Sequence, residues 1–393
     1  MVNFKMRMHK IPFYNLFEKH LIIYPAPSNL NYLWNFGSLA LVAFAVQIIT
    51  GIFLTMHYSA IDFEAFKSVD HIMRDVNNGW LIRYIHANFA SAFFITLYLH
   101  IAKAFYYQSY LTHKALWISG IVIFLLVILT SFLGYVLPWG QMSYWAATVI
   151  VSLTTTLPYG ELIKAWILGG FSIENATLQR FYTFHFLFPI IILFFVILHF
   201  GLLHLVGSSN PLVIESKKDL ISFFPYYWIK DFLGIIIFFI FFLPIVFFYP
   251  ENLMHPDNNI PANPMQTPEH IVPEWYFLIF YGILRSVPNK AAGVFLLASS
   301  IIFLLLLPIT SEINIKGLRF NRILKIITVF FFINCILLSI IGGKPIIEPY
   351  YSVGQICTAL YFLYFIFIWI FTFWFKYFDF LLNDFEKLCN IIL

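Results

Sequence analysis

The chain has 393 residues, of which 61% are hydrophobic, 21% aromatic and only 11% charged, with a formal net charge of +4. Soluble globular proteins carry roughly 25% charged residues, so a water-facing surface is excluded and the bilayer is the natural solvent of this chain. Cys335, Cys357 and Cys389 form no CxxC and no CxxCH pattern, so no disulfide framework, zinc site or covalently attached haem is expected.

Residues 1–32 carry Lys5, Arg7, Lys10 and Lys19 without the apolar run and small-residue cleavage site of a signal peptide. A polytopic chain without such a label points to synthesis inside the organelle or bacterium that uses it. Eight apolar segments follow, at 33–55, 79–106, 114–136, 178–204, 230–249, 290–309, 323–342 and 353–375. Each is near or above the ~20 residues that cross ~30 Å of hydrocarbon at a rise of ~1.5 Å per residue. No strand-like alternation is visible and lipid tolerates no unpaired backbone, so the segments are expected to be helices. The fold class is therefore an all-α membrane protein with eight transmembrane helices. No internal repeat or low-complexity tract interrupts it, and no nucleic-acid partner is expected.

Eight spans put both termini on one side. That side carries 15 of the 23 Lys and Arg residues and the other side 8, so the first side reads as matrix or cytoplasm. Two long loops fall on the opposite, outer side. Residues 137–177 contain Pro138-Trp139-Gly140-Gln141 and an amphipathic stretch after Ser143, expected to form surface helices. Residues 250–289 hold five prolines before Pro273. Long loops with fixed turns and aromatics more often serve function than mere connection.

Four histidines sit inside spans: His86 and His100 in the second, His185 and His199 in the fourth. Both pairs are 14 residues apart. Fourteen residues rise about 21 Å and rotate about 1,400°, about 40° short of whole turns. Each helix thus presents two imidazoles on nearly one face, one toward each membrane surface. A lone intramembrane histidine can be a hydrogen-bonded packing residue, but two equal spacings on two helices point to two stacked bis-histidine sites. Imidazole ligates iron well, and two of them saturate both axial positions of a haem, which then carries electrons and not substrate.

Glycines repeat the interval, Gly37 and Gly51 in the first span and Gly120 and Gly134 in the third. Glycines commonly pack helix on helix in membranes. In step with the histidines they read as floor and roof for two haems in a four-helix bundle. Arg83 and Arg180 lie outward of His86 and His185, and Lys103, Ser109 and Asn210 lie near the inner pair. These groups could meet haem propionates, or the basic ones could simply snorkel at helix ends.

The four histidines, the four glycines, Gly134-Tyr-Val-Leu-Pro-Trp-Gly-Gln-Met-Ser143 and Pro273-Glu274-Trp275-Tyr276 together resemble the cytochrome b family of respiratory complex III. So does the run from His255-Pro-Asp-Asn258 through Pro261-Ala-Asn-Pro264 to His270-Ile-Val-Pro273. The likeness extends from about residue 30 to 375. The 14-residue spacing in the fourth span suits the mitochondrial and proteobacterial type, and the chain is continuous where the chloroplast relative is split.

The resemblance implies a diheme four-helix domain at 1–225 and a C-terminal domain at 226–393 completing two quinone sites. It implies that His86 and His185 ligate a low-potential haem near the outer face, and His100 and His199 a high-potential haem near the matrix. It implies quinol oxidation outside, with Glu274 taking a proton in a pocket lined by Tyr135, Phe132, Ala146 and Tyr281. Without the motif, Glu274 reads equally as a capping or salt-bridge residue. It implies quinone reduction inside, at His204, Ser208, Lys230 and Asp231, two of which (His204 and Asp231) would otherwise read as ordinary interface residues. Expected partners are a Rieske iron–sulfur protein, a cytochrome c1 subunit, other complex III subunits and a second copy of the complex. The expected location is the mitochondrial inner membrane with both termini in the matrix, or a bacterial plasma membrane.

Four positions depart from the family pattern. Ala146 stands where Gly is usual, which narrows the quinol pocket and should weaken bulky inhibitors while keeping turnover. Lys103 replaces a common Arg, turning a forked contact into a point charge. Leu205 replaces a common acidic residue and Ser209 a common Asn. Two rival readings remain, a diheme anchor of another quinone-linked dehydrogenase and a histidine-containing transporter. The anchor leaves the last four spans and the Pro-Glu-Trp-Tyr loop unexplained, and the transporter predicts broken helices and no pigment.

Overall fold

The structure is a computed structural model. It describes Asn15, residues 18–213, 219–309 and 317–392, with side chains as far as Trp374. Lys5, Arg7, Lys10 and the Cys389 side chain lie outside the described residues.

Helices α1 to α12 are Phe36–Thr55, Asp62–Arg74, Gly79–Tyr106, Lys114–Val136, Gln141–Leu153, Gly160–Leu168, Asn175–Val206, Tyr226–Phe248, Leu278–Leu284, Lys290–Leu306, Arg322–Gly342 and Tyr350–Ile392. Eight helical segments among the described residues are long and apolar enough to cross a membrane: α1, α3, α4, α7, α8, α10, α11 and α12. Their boundaries fall within a few residues of the eight expected spans. The 137–177 loop forms α5 and α6 as expected. The loop between the first two spans holds α2, a helix not expected from the sequence.

The helix ends follow from local chemistry. The Asn289 and Asn321 side chains accept from the backbone N–H of Ala292 and Leu324, at 2.9 and 3.1 Å, and so cap α10 and α11. Glu174 and Thr177 form a capping box that starts α7. Gly207, at φ +82°, ends α7 in a conformation that favours glycine.

Between helices in lipid there is little hydrophobic driving force, so close packing and buried hydrogen bonds must hold them together. Trp117 Nε1 on α4 donates to the Leu304 carbonyl of α10 at 2.8 Å. The Tyr361 hydroxyl on α12 donates to the Ser300 carbonyl of α10 at 3.0 Å, and Asn334 Nδ2 on α11 donates to the Cys357 carbonyl at 2.9 Å. Each such bond contributes about 0.6 kcal/mol on average in membrane helices. Around them, Phe105, Tyr110, Trp117, Leu338, Tyr361 and Phe365 form a core that joins α10–α12 to the C-terminal end of α3 and the N-terminal end of α4. A second core of Phe44, Phe89, Phe94, Phe124 and Phe238 joins α8 to the bundle of α1, α3, α4 and α7.

The end of the bundle nearer His100 and His199, the inner one in the orientation expected from the sequence, carries a two-stranded sheet. β1 (Pro25–Pro27) pairs antiparallel with β2 (Leu220–Ser222), Ala26 opposite Ile221. The segment before the first span is thereby attached to the segment before α8.

Candidate functional site

The helical period places the four imidazoles in two opposed pairs. His86 of α3 faces His185 of α7, ring centroids 6.3 Å apart, and His100 faces His199, 6.4 Å apart. A metal–imidazole bond of about 2.0–2.1 Å plus the ring's own radius, about 1.1 Å, puts two rings on opposite sides of one ion about 6.3 Å apart. Both pairs therefore have the spacing of two axial ligands. Among the described residues no group of three or more His, Cys, Asp or Glu side chains forms a metal cluster. A macrocyclic iron needs only two protein ligands and fits where a cluster does not.

The neighbouring hydroxyls select the tautomer. Thr50 donates its proton to the Val46 carbonyl at 2.7 Å, so its oxygen accepts from His86 Nδ1 at 2.9 Å. Ser119 donates to the Leu116 carbonyl at 2.8 Å and accepts from His199 Nδ1 at 2.8 Å. His185 Nδ1 can only donate to the Thr130 carbonyl, at 2.8 Å. In three of the four rings Nδ1 thus carries the proton and the Nε2 lone pair is left for a metal. None of these partners stands out in the sequence, because a small hydroxyl in an apolar run carries no signal of its own.

Each glycine of the 14-residue pattern faces an imidazole. A Cβ on Gly37 would stand 3.3 Å from His100 Cε1, on Gly51 3.2 Å from His86 Cε1, and on Gly120 3.2 Å from His199 Cε1. On Gly134 it would stand 2.4 Å from His185 Cε1, which leaves no room for it. These glycines are expected from sequence as floor and roof of the haem spaces. The geometry gives them a nearer role, in which α1 seats the rings of α3 and α4 seats those of α7.

At the outer end a cavity of about 410 Å³ runs from the His86–His185 pair to the loop before α9. Gly51, Gly134, Arg83, Tyr135, Glu274 and Tyr276 line it. Arg83 is three residues from His86 and shares its side of α3. Arg180, expected outward of His185, is not among the residues that line the cavity. It donates to the Trp166 carbonyl and lies over the Trp166 ring, 5.6 Å from its centroid. The reason is helical phase, because five residues rotate Arg180 about 140° away from His185. At the inner end Lys103 lies over the Trp34 ring, 4.1 Å from its centroid. The Ser109 hydroxyl is buried with no hydrogen-bond partner among the described residues, and Asn210 is buried and accepts from Leu212 N–H at 2.9 Å.

Glu274 is held by its neighbours in sequence. Trp275 Nε1 donates to Ser91 Oγ at 3.0 Å, Tyr276 stacks on Phe94 at 4.1 Å, and the Tyr98 hydroxyl donates to the Tyr276 carbonyl. Ser91, Phe94 and Tyr98 all belong to α3, so the loop is registered on the helix that carries His86 and His100. Glu274 lies outside the membrane-spanning helices. Burial pushes its carboxyl up to about 7, against opposite pulls from the Tyr135 hydroxyl and the Arg83 guanidinium.

The two long outer loops are stitched together at the Pro-Trp-Gly-Gln-Met-Ser motif. Ser143 donates through both its backbone N–H and its hydroxyl to Asn258 Oδ1, each at 2.8 Å. Ala262 N–H donates to the Trp139 carbonyl at 3.1 Å and Gln141 N–H to the Ile260 carbonyl at 2.9 Å. A Cβ on Gly140 would meet the Asn258 carbonyl oxygen at 2.3 Å. Of the other outer-site expectations, Ala146 is buried on α5, Phe132 packs on Phe181 at 5.9 Å, and the Tyr281 hydroxyl donates to the Ile271 carbonyl at 3.1 Å. These three do not line the cavity.

The inner-site residues fall into two groups. His204 Nδ1 lies 2.8 Å from His20 Nδ1 and packs on Tyr24, ring centroids 4.2 Å apart, with Ser208 beside the Tyr24 hydroxyl. Lys230 donates to the Leu30 carbonyl at 2.6 Å, and Asp231 faces Ser38 of α1. The N-terminal segment, which carries no site expectation from sequence, covers both groups.

Two stacked pairs of facing imidazoles inside a membrane-spanning helical bundle define a haem-binding electron-transfer protein. Comparison with known proteins narrows the class. The family described as cytochrome b/b6/petB matches residues 21–207, and its C-terminal counterpart, cytochrome b(C-terminal)/b6/petD, matches residues 261–362. Cytochrome b of Triticum aestivum is 51% identical over 365 residues, covering 92% of each chain. Cytochrome b of Acanthamoeba castellanii is 53% identical over 359 residues, covering 91% of this chain and 93% of the relative. A chain of a solved structure described as hyperthermophilic respiratory complex III superposes with a TM-score of 0.89 at 33% identity, covering 95% of this chain and 99% of the other. The chain belongs to the cytochrome b family, the haem-binding electron-transfer core of quinol–cytochrome c reductases.

Proposed function

We propose that the chain is the diheme subunit of a ubiquinol–cytochrome c reductase, oxidising quinol near its outer face and reducing quinone near its inner face. One observation carries this reading: two facing imidazole pairs on the same two helices, 14 residues apart on each. Two b-type haems held by His86 with His185 and by His100 with His199 would supply one-electron carriers about 21 Å apart across the membrane. In this reading the first pair holds the low-potential haem and the second the high-potential haem. Arg83 would neutralise outer propionates, and Lys103, Ser109 and Asn210 inner ones.

At the outer face the Glu274 carboxylate takes a proton from quinol in the cavity it lines with Tyr135 and Tyr276. Its raised affinity for protons suits a general base working near neutral pH. At the inner face His204 and Asp231 give protons to quinone, with Ser208 and Lys230 beside them. Residues 1–225 supply the haem ligands and 226–393 complete both quinone sites. A Rieske iron–sulfur protein and a cytochrome c1 subunit accept the outer electrons in a homodimeric complex of the mitochondrial inner membrane, both termini of this chain facing the matrix. The excess of Lys and Arg on that side supports the orientation.

The test separates the two half-reactions in the purified native complex. Glu274→Gln is expected to slow quinol oxidation and spare quinone reduction by the reverse route. His204→Gln is expected to do the opposite. Loss of both half-reactions in each variant, with absorbance intact, would overturn the assignment of two separate sites.

A further inference from the structure

The His20–His204 contact serves neither the imidazole pairs nor the outer cavity. We infer that His20 relays protons from the inner aqueous side to His204 during quinone reduction, an inference that rests on the inner-site reading above. Their Nδ1 atoms are 2.8 Å apart, a contact that can exist only with one ring donating and the other accepting. An imidazole that receives a proton at Nδ1 can release another from Nε2, so the couple passes one proton inward per event, and both rings then recover their starting tautomers by rotation or by exchange with water before the next. His20 is held by backbone hydrogen bonds. It lies in one wide helical turn, Glu18–Ile22, closed by the Ile23 N–H to Glu18 carbonyl bond at 2.9 Å. Wide turns of this kind recur at functional sites. The turn is attached to the opposite strand by Phe224 N–H to the Ile22 carbonyl at 3.0 Å and Phe223 N–H to the Tyr24 carbonyl at 2.8 Å. Tyr24 and Phe200 pack on the His204 ring, each with centroids 4.2 Å away.

The other titratable groups are placed for different roles. Glu18 and Lys19 share the turn with His20. Tyr24 is a phenol whose burial raises its affinity for its proton. Lys230 of α8 is committed to the Leu30 carbonyl, and Asp231 faces Ser38. Quinone accepts two electrons through the chain's electron-transfer path and two protons on its carbonyl oxygens, one from His204 Nε2 and one from Asp231. His204 regains its proton at Nδ1 from His20 Nδ1, and His20 regains one from water. His20 does not touch the substrate and acts through His204 as a positioning and relay residue.

Glutamine tests the relay, because it can still hydrogen-bond His204 Nδ1 but passes no proton on. In the native complex with the outer site blocked by inhibitor, His20→Gln should lower kcat for quinone reduction on the order of tenfold, less than the hundredfold of a group that touches substrate. KM should be unchanged, the deficit should deepen as pH rises, and added imidazole should restore the rate. Outer-site quinol oxidation serves as the control for assembly. Wild-type kcat and pH profile in His20→Gln, with His204→Gln slow, would overturn the relay alone. Wild-type quinone reduction in His204→Gln would overturn the inner-site reading itself. A proton inventory in mixed H2O and D2O on the unaltered complex tests the relay without mutation. A curved plot supports two protons moving together and a linear one rejects it.

Discussion

The indole nitrogen of Trp275 and the hydroxyl of Ser91 are 3.0 Å apart. Ser91 lies five residues after His86 on α3, so this bond ties the loop that ends in Glu274 to the helix that presents two imidazoles. A shift of the loop breaks this bond to the helix that carries His86 and His100. Trp275→Phe removes the donor and keeps the packing. A single hydrogen bond contributes about 1 kcal/mol, so quinol oxidation should fall about fivefold, with the b-type absorbance of the complex unchanged. Steady-state turnover and a spectrum of the same sample check both halves of the prediction.

The glycines should differ in sensitivity. A methyl on Gly134 would stand 2.4 Å from His185 Cε1, whereas on Gly37 it would stand 3.3 Å from His100 Cε1. Gly134→Ala must displace the ring, and the expected result is loss of most of the outer haem's absorbance. Gly37→Ala needs only a few tenths of an ångström of give and should keep the inner haem. Haem extraction and quantification per polypeptide would distinguish them, and equal retention in both variants would contradict the seating role.

Thr50 is expected to matter through its oxygen and not its bulk. Thr50→Ser preserves both the bond to the Val46 carbonyl and the acceptor for His86 Nδ1. Thr50→Val preserves the shape and loses both. Partners behind a metal-ligating histidine are typically worth about 10–100-fold in affinity, so Thr50→Val should lose the outer haem at least tenfold faster to a competing apo-acceptor. Thr50→Ser should behave as the unaltered chain.

Glu274 should impose a pH limb on quinol oxidation. Burial raises its carboxyl to about 7, above the ordinary carboxylate range, so the group gains its proton as pH falls through that value. The protonated form cannot accept from quinol. Turnover should therefore decline below pH 7 and level off above it, and Glu274→Gln should be slower on the order of a hundredfold and lack that limb. A pre-steady-state pH profile of both forms reads this directly.

Much of this arrangement is legible in the chain. The spans are visible because ~20 apolar residues are what a bilayer requires, and the stacked pairs because a 14-residue interval nearly closes on the helical period. The α2 helix escapes such a reading although Ala65, Val69 and Ile72 repeat at helical spacing, because a short amphipathic helix in a loop lacks a span's apolar run. Arg180 lies outward of His185 along α7, and its contact with Trp166 depends on a loop that periodicity does not place. The His20–His204 contact joins residues 184 apart, and no local pattern announces it. The glycine–imidazole pairing likewise depends on which helices neighbour each other, which periodicity alone leaves open.

In the proposed function two facing imidazole pairs each grip a haem. The most direct test is a potentiometric titration of the b-type absorbance in the purified native complex. Two one-electron waves of comparable amplitude are expected, one from each pair. A single wave, or a polypeptide with no b-type absorbance, would contradict it.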